Sequence, residues 1–148
     1  MRLLCGTAII GFLASVAAQP IAQASFIMES YNYIDGKTYI STIKDEDIAP
    51  TPAWEIEDGN PPLAVGQAVA AAKACLHTLD LGDHHWTIGS VSLKPSGLEG
   101  HWFYEIMFSC LGDDRAPMTF RVQVLMNGVA VVPRLEEKPT RTTGAPPN

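Results

Sequence analysis

Between residues 77 and 86 the chain gathers its densest set of groups able to bind something: His77, Asp80, Asp83, His84, His85 and Trp86. Imidazole nitrogens and carboxylate oxygens ligate metals and hydrogen-bond polar ligands, and an indole adds flat apolar surface. The spacing matches no zinc signature such as His-Glu-x-x-His. Adjacent histidines in an extended chain point to opposite faces, although a turn relaxes that restriction. The segment reads as a solvated polar turn. The alternative reading makes His77, His84, His85 and Trp86 the mouth of a small-ligand or metal pocket. Asp45-Glu46-Asp47 and Asp113-Asp114 offer further oxygens. They lack EF-hand spacing and its glycine, so they read as linker and hairpin-tip charges, and no cofactor or metal is expected.

Catalysis needs a nucleophile, a base and an oxyanion site brought together. Ser90, Ser92 and Ser109 fall in strand-like runs with no nucleophile elbow around them. His101 and Glu105 share one strand face but read as a solvated pair. The chain is expected to be no enzyme, with no catalytic residue to name.

Residues 1–24 have the form of a targeting signal. Arg2 precedes an apolar run from Leu3 to Ala18, and Ala22-Gln23-Ala24 is a small-x-small cleavage site that puts the mature start at Ser25. The run is shorter than the roughly 20 residues needed to span a bilayer. The expected setting is secreted or periplasmic, without stable membrane insertion after cleavage. Loss of Arg2 leaves nine basic against sixteen acidic residues, a net charge of −7 with His neutral. With no basic cluster, nucleic acid and anionic membranes are not expected partners. Cleavage also removes Cys5 and leaves Cys75 and Cys110. An even count in an exported chain predicts a Cys75–Cys110 disulfide. It closes a loop worth about 3–4 kcal/mol on the chain-entropy model.

The elements that position these groups follow from periodicity. Val65, Val69, Ala72, Leu76 and Leu79 share one face of a predicted helix from Pro61 to about Leu81, stopped by Gly82. Residues 25–44 predict a hairpin about Asp35-Gly36, and residues 45–60 an acidic, proline-rich linker. Residues 86–94 predict a strand with a bulge at Gly89-Ser90. Residues 101–111 predict a second strand, with Trp102, Tyr104, Ile106, Phe108 and Cys110 facing the helix. A third strand, 118–126, turns at Asn127-Gly128 into a last strand, 129–132. Residues 136–148 read as a disordered tail. The expected class is α+β: one main helix packed on an antiparallel sheet of three to four strands, spanning 61–135, with an N-terminal hairpin or arm.

The Pro-Pro-Leu entry, Ala68, Ala71 and Ala72 of the helix, the strand opening at Trp86, Trp102-Phe103-Tyr104-Glu105-Ile106 and the Val124-Leu125-Met126-Asn127-Gly128-Val129 hairpin resemble the PepSY-like small exported domains. They also resemble the broader cystatin-like arrangement of a helix cradled by a meander, over about residues 63–132. The resemblance implies a non-enzymatic module, some relatives of which are linked to restraining secreted peptidases. The chain departs from that pattern in its cysteine pair and N-terminal segment. Phe103 and Met107, opposite the assigned core face, are candidates for a partner-binding patch unless the N-terminal hairpin covers them. The leading expectation is therefore a module that binds a protein or peptide of the cell envelope through its sheet face or edge.

Overall fold

Alternating apolar residues build two antiparallel sheets, which the computed structural model describes over residues 27–111 and 116–136. The first sheet holds β1 (Ile27–Ile34) and β2 (Lys37–Lys44). Asp35 and Gly36 between them have φ of 49° and 72°. Two left-handed residues are what a two-residue turn needs to match the twist of its strands. The second sheet holds β3 (Thr87–Pro95), β4 (Trp102–Leu111) and β5 (Pro117–Leu125), with β4 in the centre. Register slips between Ile88 and Ser90, so the extra residue, Gly89, forms the expected bulge. A short β6 (Arg134–Leu135) returns to pair with β2 at Tyr39 and Ile40.

This architecture corrects the α+β expectation. Among the described residues the fold is mostly β, with two three-stranded sheets and one substantial helix, not a helix laid on a single sheet of three or four strands. The missing information is long-range. Val129–Val132 does not extend the second sheet as a strand; only Ala130 bridges, opposite Val124. Pro133 lacks the N–H to continue, and the next position on the β5 edge is already filled by Asn32. That side chain donates from Nδ2 to the Arg121 carbonyl at 3.0 Å and accepts from the Arg121 N–H at 2.8 Å. The chain then pairs with β2 instead, which turns the N-terminal hairpin into a sheet.

The hairpin lies across the outer edge of β5. Its inward residues enter two cores on opposite faces of the second sheet. Ile34 and Tyr39 join the main core with Tyr104, Phe108 and Phe120, and Tyr39 meets Phe120 edge-on at 5.6 Å. Ile43 joins Phe103 and Leu125 in a smaller core on the other face, together with Ile48. Ile48 ends α1 (Asp45–Ile48), a single turn within the stretch expected to be an irregular linker.

The main helix, α2 (Val65–His77), is shorter than predicted at both ends. Pro61 and Pro62 lie ahead of it, and Leu63 is pinned by the Tyr104 hydroxyl, which donates to its carbonyl at 3.0 Å. Thr78 stops the helix by donating its hydroxyl to the Cys75 carbonyl at 2.7 Å. Gly82 does take a left-handed φ of 73°, but four residues beyond that cap. Leu79 and Leu81 thus belong to a folded-back loop, and this loop builds the site described next. No helix among the described residues is long and apolar enough to cross a membrane. The expected signal segment, Asp113-Asp114 and the tail beyond Glu136 lie outside the described residues.

Candidate functional site

A cavity of about 440 Å³ opens where the end of α2, the 78–86 loop and the last part of β4 converge. Its apolar wall is Leu76 from the helix, Leu79 and Leu81 from the loop, and Phe108 from β4. His77, His84, His85 and Trp86, the four residues singled out by type, all line it. Lys73 completes the rim one helical turn before His77.

Each residue is held differently. His77 and His85 are exposed, whereas His84 is half-buried between the loop and the hairpin turn. His84 Nε2 lies 2.8 Å from Asp35 Oδ2. A carboxylate only accepts, so Nε2 carries the proton. Trp86 packs edge-on against both His84, at 6.1 Å, and Phe120, at 6.1 Å, tying the rim to the main core. Its indole N–H is buried without a hydrogen-bond partner among the described residues.

The N-terminal hairpin holds the loop in place. Besides Asp35 on His84, Lys37 Nζ approaches Asp80 Oδ2 at 3.4 Å, and the Tyr39 hydroxyl donates to the Asp80 carbonyl at 2.8 Å. The Lys37 pair is solvent-exposed and adds little. The Tyr39 bond, anchored in the core, is the firmer tether.

A second cavity of about 440 Å³ lies on the other side of His85, lined by Thr87, Ser109, Cys110, Leu111 and Pro117. Cys110 therefore does not meet Cys75. Both thiols are free and buried, and they are not within disulfide distance. The helix packs more on β5 than on β4, and Cys75 and Cys110 are not brought to bonding distance. Cys75 sits in the main core, while Cys110 lies two residues past Phe108, about 7 Å along the strand. Burial pushes the Cys75 thiol up, and burial together with the nearby Asp35 charge pushes up Cys110.

Phe103 and Met107 could be read from the sequence either as an open patch or as a surface under the N-terminal hairpin. Phe103 is 2% exposed, covered by Ile43, Ile48 and Leu125, and Met107 is half-buried beside Gly89. Nor do His101 and Glu105 pair: His101 Nδ1 lies 3.2 Å from Thr51 Oγ1, and Glu105 accepts from Lys94 at 2.7 Å.

Lys73, Asp35 and the leucine wall were not singled out from the sequence. The Lys73–His77 spacing was a readable cue. The contact of Asp35 with His84, 49 residues apart, leaves no trace in a single sequence. No family model, curated protein or solved structure matches the chain.

Proposed function

We propose that this chain is an exported, non-enzymatic binding protein that carries a small organic ligand in the cavity at the end of α2. The observation that carries the reading is the convergence of His77, His84, His85 and Trp86 on one leucine-walled space of about 440 Å³. Leucine and aromatic side chains back a polar mouth, a combination that can hold a small amphipathic molecule, and the volume falls within the roughly 300–1,000 Å³ common for small-molecule sites. The described residues contain no group of three or more His, Cys, Asp or Glu side chains able to hold a metal ion, which favours an organic occupant.

Binding of a peptide by strand addition is the second reading. Its motivating observation is the outer edge of β3, which has β4 as its only strand partner among the described residues. That edge carries a bulge at Gly89 and the Lys94-Pro95 pair, features that discourage edge pairing. With Phe103 covered as well, the cavity is the better-supported site.

A ligand-observed NMR screen of small aromatic and aliphatic fragments tests the proposal. Fragments are expected to bind the untagged protein and to lose binding in Leu79→Trp, which fills the cavity, or in His77→Trp, which narrows its mouth from an exposed position. Fragments that bind all three proteins equally, or that bind none, overturn it.

A further inference from the structure

We infer that the ligand of this cavity is an organic monoanion with a compact apolar body, its charged head held at Lys73, His77 and His85. The inference rests on the cavity being a ligand site, and it is carried by charge that the composition of the chain does not lead one to expect.

The chain has sixteen acidic residues against ten basic ones. Among the described residues, no acidic side chain lines the cavity, although Asp80 and Asp83 belong to the loop that walls it. Asp80 turns outward beside Lys37, and Asp35, which approaches the rim, is engaged by His84. What remains at the mouth is Lys73, a cation with no ion pair among the described residues, and the exposed imidazoles of His77 and His85. All three donate hydrogen bonds, the lysine with three protons and each neutral imidazole with one. Below them lie Leu76, Leu79, Leu81, Phe108 and the Trp86 ring, with His84 and the Gly82 backbone beside them. A ligand filling both parts needs an accepting, negatively charged head and an apolar body.

One opposing term lies close by. The C-terminal end of a helix carries partial negative charge, which disfavours an anion. Here that end is partly satisfied: the Thr78 hydroxyl and N–H both bond the Cys75 carbonyl, and the Leu79 N–H bonds the Leu76 carbonyl. A full charge on Lys73, backed by two imidazole donors, outweighs the remaining partial charge.

The test uses three naphthalene probes of equal shape: the carboxylate, the neutral methanol and the methylammonium. Affinity is measured by calorimetry for the wild-type chain and for Lys73→Gln/His77→Gln, whose changes are both at exposed positions. The carboxylate is expected to bind at least tenfold tighter than the alcohol, with the ammonium weakest. The double variant is expected to abolish that preference, with carboxylate and alcohol then bound about equally. Equal affinity for carboxylate and alcohol, or a preference that survives the double variant, overturns the charge inference and leaves the cavity reading standing. Failure of all three probes overturns both.

Discussion

Asn32 and Arg121 are joined by a pair of hydrogen bonds in which the Asn32 side-chain amide takes the place of a neighbouring strand. It bonds both the carbonyl and the N–H of Arg121 at the β5 edge. Asn32 is 2% exposed, so the two backbone groups it satisfies are shielded from water on its side. Asn32→Ala leaves both without a partner and is expected to cost about 2–6 kcal/mol, from about 1–3 kcal/mol for each of the two polar groups orphaned. Urea unfolding measures this. A loss below about 0.5 kcal/mol, the range of ordinary surface changes, shows that the amide does not join the sheets.

The Asp35–His84 contact links the hairpin turn to the cavity rim. Asp35 is half-exposed and His84 mostly shielded, so a modest coupling of about 0.5–1 kcal/mol is expected. A double-mutant cycle with Asp35→Ala and His84→Ala isolates it. Additive single effects indicate that the turn and the rim are independent.

The two thiols set a pH dependence. Both are raised by burial, Cys110 also by Asp35. The folded protein thus keeps its thiol protons to higher pH than the unfolded chain. The associated stability is fully present below the unfolded thiol value, about 8.5, and is lost as pH rises through the folded values. Melting temperature is expected to fall between neutral pH and about pH 10, and to fall less in Cys75→Ala/Cys110→Ala. The same burial makes both thiols slow to react with thiol reagents at neutral pH until the protein is unfolded. Rapid labelling of the native protein contradicts this.

Gln123 presents the opposite case to Asn32. It is 1% exposed, and neither its amide nitrogen nor its oxygen has a hydrogen-bond partner among the described residues. Gln123→Met keeps the shape and removes the buried polar atoms. It is expected to be neutral or to stabilise by about 1 kcal/mol. Destabilisation of that size shows that the amide is bonded.

Local features were legible in the sequence, and long-range ones were not. Asp35-Gly36 predicted its turn, Gly89 its bulge, and the alternation from Trp102 to Cys110 the core face of β4, because each depends on neighbours within a few residues. Tyr104 and Phe108 do share a core with Val69 and Leu76. The two-sheet architecture depended on Asn32 docking 89 residues away and on β6 finding β2, and no local pattern encodes either. The disulfide failed for a similar reason: parity gave the side of the strand on which Cys110 lies but not where the helix crosses it. Residue type alone drew attention to His77, His84, His85 and Trp86. The leucine wall was hidden because Leu79 and Leu81 looked like the end of a helix, until the Thr78 cap placed them in a loop.

Whether a ligand sits in the cavity can be read directly from the three tryptophans. Trp86 lines that cavity, whereas Trp54 and Trp102 pack against each other at 5.6 Å beside a different part of the second sheet. Titration of the isotope-labelled protein with naphthalene carboxylate, followed at the three indole N–H signals, is expected to shift the Trp86 signal and leave the other two in place. A Trp86 signal that stays still while the probe binds, or moves no more than those of Trp54 and Trp102, contradicts the account.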